Sequence, residues 1–280
     1  MFGRRKSGSV LCASCGKLVG VRDSVCLNCG RPNPGLWGFG PTLRALGRDL
    51  GYTNIVIVAC AILYAATLLA DPGGVKQSGL FDLLSPSMMS LYHFGASGAL
   101  PVFDYGRWWT VLSATWLHGS LLHILFNMLW VRQLGPAVVE LYGAPRTVIV
   151  YTAAGVTGFA LSSFAGLVFA GMPIPFLRGA QLTIGASASI FGLLGALVYY
   201  GRRGGSSHIS RQATSLAIVM FVFGFLMPNI DNYAHLGGLL GGYGMAKWLD
   251  PLEPERTDHT VWALVCLGAS LLSIVASLLA

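Results

Sequence analysis

The polar residues that could do chemistry in this sequence lie inside otherwise apolar stretches. Ser187 stands in "GASASIFGLL", His235 in "DNYAHLGG", and His123 and Asn127 in "LHGSLLHILFNMLW". A serine hydroxyl is a weak nucleophile until an adjacent base takes its proton, and histidine is the usual base. A histidine N–H and an asparagine amide could donate hydrogen bonds to the oxyanion of a tetrahedral intermediate. Together these residue types indicate acyl transfer by a serine nucleophile.

The elements that must position these residues are membrane-spanning helices. The chain has 280 residues, of which 54% are hydrophobic and 10% are charged, whereas about 25% of the residues of a soluble domain are charged. A stretch of about 20 apolar residues is long enough to cross a bilayer as a helix. The segment 71–114 is too polar to span and is predicted to lie in the membrane interface. Seven spans are predicted, at residues 53–70, 115–134, 147–170, 184–200, 212–228, 232–249 and 260–279.

The distribution of basic residues predicts the orientation of these spans. If the N-terminus is cytoplasmic, fifteen Lys and Arg residues fall on the cytoplasmic side and three, Lys76, Arg107 and Arg178, fall on the other side. Because cytoplasmic loops carry the excess of Lys and Arg, we expect the N-terminus inside and the C-terminus outside. These cytoplasmic basic residues also account for the net charge of +7, so the charge does not indicate a nucleic-acid partner.

In this orientation, three spans bring the reactive residues to a similar depth in the outer part of the bilayer. His123 and Asn127 are four residues apart and share one helix face. Apart from Asp231 at the edge of its span, no acidic residue lies near His235 in the sequence, so we expect a Ser–His dyad rather than a triad. Taken singly, Ser187 could pack or bond to its own helix, a histidine could be a structural partner or proton relay, and Asn127 could join helices. The hypothesis of catalysis rests on the combination.

Glycines beside His235 favour close contact between two of these spans. The sequence "GGLLGG" (residues 237–242) contains two overlapping GxxxG patterns, which let another helix approach at backbone contact. Small residues around Ser187 offer a matching surface, so the short serine side chain could reach the imidazole. Phe191, one turn further on the same face as Ser187, could stack on the imidazole ring.

Four cysteines near the N-terminus form two C-x-x-C pairs, Cys12 with Cys15 and Cys26 with Cys29, each followed by a glycine. This spacing suits a structural tetrahedral Zn²⁺ site. Two disulfides are the alternative, but thiols stay reduced in the cytoplasm, where we expect this segment. We therefore predict a small zinc-ribbon-like domain over residues 1–31 and a linker over residues 32–52.

These motifs resemble those of the rhomboid family of intramembrane serine proteases, over most of residues 50–250. The family's G-x-S-G motif is present as "GASA", its H-x-x-x-x-H-x-x-x-N pattern as His118, His123 and Asn127, and its A-H-x-x-G-x-x-x-G pattern as "AHLGGLLGG". The resemblance implies Ser187 as nucleophile and His235 as general base. It also implies that His123, Asn127 and the Ser187 backbone N–H form the oxyanion site, with His118 as an auxiliary polar residue.

The resemblance further implies the fold, an all-α polytopic membrane protein with a six-helix bundle and a water-filled cavity open to the outside. We expect the bundle at residues 53–250, followed by a loop and a seventh transmembrane helix at 251–280. Two positions depart from the family pattern. Ala188 stands where the family usually has glycine, and the family's Trp-Arg pair falls on Trp109 and Thr110, which puts the stability of that loop in question.

The sequence therefore predicts a serine endopeptidase that cleaves transmembrane proteins in or near their spans, without a catalytic cofactor. Its expected partners are those substrates, the lipid bilayer and a cytoplasmic protein that binds the zinc-ribbon-like domain, and its expected location is the plasma membrane of a bacterium. The alternatives are an inactive relative that binds membrane-protein clients and a small proton-coupled transporter with His123 and His235 as relays. A zinc metalloprotease is disfavoured because the sequence has no H-E-x-x-H motif.

Overall fold

Helices make up most of the structure, a computed structural model that describes residues 3–48, 50–77, 79, 81–174, 177–227 and 230–280. A short hairpin precedes them. In chain order the elements are β1 (Ser9–Leu11), β2 (Leu18–Gly20), α1 (Gly40–Arg48), α2 (Tyr52–Ala70), α3 (Met88–His93), α4 (Thr110–Ser113), α5 (Leu121–Tyr142), α6 (Ala144–Val168), α7 (Ser187–Arg203), α8 (Ser207–Leu226), α9 (Asn232–Trp248) and α10 (Thr257–Leu279).

The long helices correspond to the seven predicted spans. Within the described ranges, four of them (α2, α6, α8 and α10) are long and apolar enough to cross a membrane by themselves. Of the other three, α7 and α9 have 17 residues each, and α5 carries the polar pair His123 and Asn127. The candidate site residues therefore lie on the three helices that are too short or too polar to cross a membrane without neighbouring helices. The predicted all-α polytopic membrane fold, with six bundle helices, a seventh C-terminal helix and a small zinc-ribbon-like N-terminal domain, is confirmed.

Two predicted spans begin several residues before their helices, whereas α6, α8 and α10 begin three to five residues earlier than their predicted spans. Helix α5 begins at Leu121 rather than at residue 115, because the Ser120 hydroxyl caps it by accepting a hydrogen bond from the His123 backbone N–H at 3.3 Å. His118 therefore lies in the loop before the helix. Helix α7 begins at Ser187 rather than at residue 184, since Gly185 has a φ of +129° that no helix accepts.

Glycines on α9 bring this helix into contact with two neighbours. Gly238 and Gly242 face α7, where a methyl group at either position would overlap backbone atoms of Ala188 or Gly192. The other two glycines of "GGLLGG" face α6 instead, where a methyl group would collide with Thr157. The sequence predicted the contact with α7 but not the division of the two GxxxG patterns between two helices.

The segment between α2 and α5, in the part that the structure describes, contains short helices, turns and isolated β-bridges. Its backbone pairs with the chain that leads into α7: Ser97 and Thr183 exchange N–H···O bonds of 3.0 and 2.7 Å, and the Gly185 N–H donates to the Ala114 carbonyl at 2.9 Å. This segment therefore supports the turn that precedes Ser187. Its location in the membrane interface stays a prediction.

The N-terminal domain contacts the membrane helices at the start of α10. Arg31 forms an ion pair with Asp258, and the Arg44 side chain on α1 donates to the Thr257 hydroxyl at 3.2 Å. Gly47, also on α1, packs so closely against α10 that a methyl group there would overlap the Thr260 hydroxyl. The small hairpin is thus attached to the helical core through α1 and α10.

Candidate active site

Ser187 and His235 are hydrogen bonded to each other. Ser187 is the first residue of α7 and His235 lies in the first turn of α9, and the distance between Ser187 Oγ and His235 Nε2 is 2.9 Å. The close packing of α7 on α9 brings these two ends together. When Nε2 is unprotonated it accepts the hydroxyl hydrogen, which is the arrangement that a nucleophile and its general base require.

The His235 ring is oriented by an aromatic contact. The Phe191 ring stacks on it with a centroid distance of 4.2 Å and an interplanar angle of 15°. His235 Nδ1 is buried and has no hydrogen-bond partner among the described residues. The Asp231 carboxylate is engaged elsewhere, accepting hydrogen bonds from the Ala234 N–H at 3.0 Å and from the Ser162 hydroxyl. Asp231 thus caps α9 and does not orient the imidazole.

His123 borders the same small space as the serine. The Gly119 N–H donates to His123 Nδ1 at 3.3 Å, so the ring hydrogen lies on Nε2. A methyl group added at Gly185 would lie 2.7 Å from His123 Nε2 and 3.7 Å from Ser187 Oγ. Because Gly185 also has a positive φ, a residue with a side chain is doubly disfavoured there. The glycine keeps open a space between a hydrogen-bond donor and the serine hydroxyl, as an oxyanion site requires.

Asn127 and His118 lie next to His123 but are engaged differently. Asn127 is nearly buried, and its Nδ2 donates to the His123 backbone carbonyl one turn earlier at 2.8 Å. One further N–H of the amide remains for another acceptor. His118 is fully buried, with its ring edge-on to His123 at a centroid distance of 5.2 Å. The role of Asn127 as an oxyanion donor stays a prediction.

The extra methyl group of Ala188 is accommodated away from the serine. Ala188 is fully buried in a small cluster with Phe159 and Ala234. Its methyl group faces α6 at Gly158, where an added methyl group would approach it to 2.8 Å. The substitution of the family's usual glycine therefore fills space between helices and does not narrow the space beside Ser187.

Arg107 is a buried residue whose structural role is not apparent from the sequence. There it is only one of the three basic residues predicted on the non-cytoplasmic side. Its guanidinium donates to the Tyr92 carbonyl at 3.0 Å and to the Ser277 carbonyl on α10 at 2.7 Å, and it lies over the Tyr92 ring. The Trp109 indole N–H donates to the Ser277 hydroxyl at 3.1 Å. An arginine two positions before the tryptophan thus joins this loop to α10, although Thr110 stands where the family has its arginine.

The four N-terminal cysteines form a compact cluster. Their sulfur atoms all lie within 4.8 Å of one another, with Cys12 Sγ 3.8 Å from Cys29 Sγ and Cys15 Sγ 3.7 Å from Cys26 Sγ. A tetrahedral Zn²⁺ site with bonds of about 2.3 Å places its sulfurs about 3.8 Å apart, whereas a disulfide needs about 2.05 Å. The cluster could therefore hold a metal ion, and its geometry fits tetrahedral coordination.

Glycine turns hold the cysteines in place. Gly16 and Gly30 each have a φ of +72°, and their N–H groups donate to the carbonyls of Cys12 and Cys26. The glycine that follows each C-x-x-C pair in the sequence therefore forms a tight turn. The backbone N–H of Lys17 lowers the pKa of Cys15 to about 6. Although the backbone N–H of Arg31 lowers the pKa of Cys29, burial and the other three thiols raise it to about 12, so a metal ion would have to displace the Cys29 proton.

Comparisons with known proteins agree with this architecture. A family model, the Rhomboid domain, matches residues 105–250. Rhomboid protease GluP of Bacillus subtilis (strain 168) is 37% identical over 168 residues, which cover 59% of this chain and 30% of that protein. RHOMBOID-like protein 4 of Arabidopsis thaliana is 30% identical over 58% of this chain and 39% of its own length. Inactive RHOMBOID-like protein 8 of the same plant is 27% identical over 70% of this chain and 58% of its own length.

The matched region contains the candidate dyad and both of its neighbours on α5, but not the cysteine cluster. The chain spans between about a third and three fifths of the length of these relatives. Because the domain match covers more than half of the chain and includes the helices that carry the site, this integral membrane protein belongs to the rhomboid family.

Proposed function

We propose that this protein is an intramembrane serine endopeptidase that cleaves transmembrane proteins in or near their membrane spans. The observation that carries the proposal is the 2.9 Å hydrogen bond between Ser187 Oγ and His235 Nε2. One relative is named as a rhomboid protease, while another is named as inactive, so family membership alone does not establish the activity.

The proposed chemistry uses four side chains and one backbone N–H. Ser187 Oγ attacks the peptide carbonyl while His235 Nε2 takes the hydroxyl proton, and the protonated imidazole then gives that proton to the leaving amine. The His123 Nε2–H, the Ser187 backbone N–H and the free Asn127 amide hydrogen donate to the oxyanion as it forms. Water then hydrolyses the acyl-enzyme by the same sequence of proton transfers.

We further propose that the N-terminus lies in the cytoplasm, so that the dyad opens toward the opposite side of the membrane of a bacterial cell. The excess of Lys and Arg on the N-terminal side supports this orientation. The division into residues 1–31, 32–52, 53–250 and 251–280 is part of the same proposal. The metal is proposed to be zinc in a closed Cys12, Cys15, Cys26 and Cys29 site, which supplies folding energy and takes no part in proteolysis.

The test is cleavage of a single-span substrate by purified protein in detergent. We expect Ser187→Ala to lose cleavage and Ser189→Ala to keep it. Ser189 is the matched control because it lies two residues further along α7, where its buried hydroxyl donates to the Tyr151 carbonyl at 2.7 Å. Full cleavage by Ser187→Ala would rule out the proposed nucleophile. An inactive client-binding protein or a proton-coupled transporter predicts no serine-dependent cleavage by any of the three proteins.

A further inference from the structure

A basic cleft in the N-terminal domain lies apart from the cysteine cluster and from the dyad. Its volume is about 500 Å³, and its lining includes the side chains of Arg4, Arg5, Lys6, Arg22 and Trp37. All four basic residues are exposed, and in the described part of the chain none of them forms an ion pair with a carboxylate. The cleft therefore presents an excess of positive charge.

Hydrogen bonds to the backbone hold part of the lining in place. The Arg4 Nε–H donates to the Trp37 carbonyl at 2.8 Å, and the Arg5 guanidinium donates to the Ser9 carbonyl at 3.2 Å. The lining also includes an acidic residue, Asp23, which accepts a hydrogen bond from the Gly20 N–H at 2.7 Å. The remaining guanidinium N–H groups are available for an anionic ligand, and guanidinium groups match the paired oxygens of a phosphate.

The cleft is connected through α1 to the helix ends that mark one membrane surface. Trp37 and Phe39, which are 62% and 47% exposed, directly precede α1. At its far end, α1 packs on the start of two membrane helices, since a methyl group at Gly47 would contact Pro145 of α6 and overlap the Thr260 hydroxyl of α10. Exposed aromatic rings near the end of a membrane helix are typical of residues that sit among lipid headgroups.

We propose that this cleft binds the phosphate-bearing headgroup of an anionic phospholipid in the adjacent leaflet. Clustered Lys and Arg residues on the cytoplasmic side of a membrane helix attract anionic lipids, and Trp37 supplies the apolar contact at the acyl boundary. The inference rests on the proposed cytoplasmic orientation of the N-terminus but not on proteolytic activity. A bound headgroup would fix the small N-terminal domain against the membrane surface.

The experiment measures phospholipid binding to the full-length protein by native mass spectrometry from detergent. Phosphatidylglycerol is compared with phosphatidylcholine of the same acyl chains and with inorganic phosphate as competitor. The test variant is Lys6→Gln with Arg22→Gln, because neither side chain makes a hydrogen bond within the described residues. The matched control is Arg211→Gln with Lys247→Gln, which removes the same charge from two exposed residues on the same proposed side.

We expect tight binding of one phosphatidylglycerol per chain and weaker binding of phosphatidylcholine. Two basic residues near an anionic surface correspond to about a 25-fold change in affinity, so the cleft variant should bind phosphatidylglycerol about 25-fold more weakly, at an unchanged melting temperature. The control variant should change affinity far less, because Arg211 and Lys247 do not line the cleft. Equal binding of the two lipids, equal losses in the two variants, or full displacement by equimolar phosphate would each overturn the proposal.

Discussion

The candidate active site and the cysteine cluster are positioned by different forces. Ser187 and His235 meet because α7 and α9 pack at backbone contact along glycines, so their geometry depends on the whole helical core. The four cysteines meet because two glycine turns fold a short segment whose own core comprises Val10, Val19 and Val21 besides two of the thiols. So small a core buries too little apolar surface to be stable alone. We therefore expect the dyad to form without a metal and the N-terminal domain to depend on the metal proposed for its cysteine cluster.

The largest effect that this comparison predicts is on the dyad. His235→Ala should lose cleavage to background, and the Ser187→Ala/His235→Ala double variant should be no worse than either single variant, because nucleophile and base act as a unit. Metal content should be unchanged in all three proteins. Cleavage rates and elemental analysis of the same preparations provide the check, and additive losses in the double variant would show that the two residues act separately.

The next largest effect concerns the oxyanion donors. Loss of one such donor typically lowers kcat by about 10²–10³, so Asn127→Ala should keep weak activity, and His123→Ala should be affected as strongly or more. Single-turnover rates for several substrates, together with melting temperatures, are the measurements. Unchanged turnover by Asn127→Ala would assign Asn127 to its hydrogen bond with the His123 carbonyl and remove it from the site.

A smaller effect is expected from the glycine packing. Gly238→Ala puts a methyl group into the Ala188 carbonyl, and such overpacking typically costs about 1–3 kcal/mol of unfolding free energy. Gly244→Ala on the same helix meets no atom within 4 Å and should stabilise by up to about 1 kcal/mol through helix propensity. The melting temperature and the cleavage rate should therefore fall for Gly238→Ala and should be unchanged or higher for Gly244→Ala. Equal destabilisation by both would contradict the packing account.

The smallest effect on proteolysis is expected from metal removal. Purified protein should contain about one zinc per chain, and Cys12→Ser with Cys26→Ser should abolish it. A chain that begins at residue 40 should lose the zinc and keep cleavage in detergent, since α1 and α10 retain their contact. Cysteine accessibility, zinc content and cleavage are measured for these proteins and for the control variant Cys60→Ser. Cys60 is a buried cysteine of α2 outside the cluster. Loss of cleavage with the zinc would show that the two regions are not independent.

The sequence predicted the parts of the site that depend on local spacing. His123 and Asn127 share a helix face because they are four residues apart, and the GxxxG patterns by themselves implied close helix contact. The beginning of α5 was misplaced because Trp116 and Leu117 extend the apolar pattern ahead of the helix, while the Ser120 cap depends on a side-chain hydrogen bond.

Contacts between distant residues could not be read from local pattern. Arg107 bonds to a carbonyl 170 residues later in the chain, and Arg31 pairs with an aspartate 227 residues later. Neither partner can be identified from spacing or composition. The Ser277 carbonyl, for example, cannot be distinguished in the sequence from any other backbone carbonyl of α10. The docking of the N-terminal domain on α10 followed only from the assembled fold.

The most direct test of the account is covalent labelling by a serine-reactive phosphonate probe. Purified full-length protein is incubated with the probe, and the modified residue is located by peptide mass spectrometry. Wild type and Ser189→Ala should carry one adduct, on Ser187, while Ser187→Ala and His235→Ala should carry none. Labelling that persists in Ser187→Ala, or an adduct on any other serine of the wild-type protein, would contradict the assignment of Ser187 as a nucleophile activated by His235.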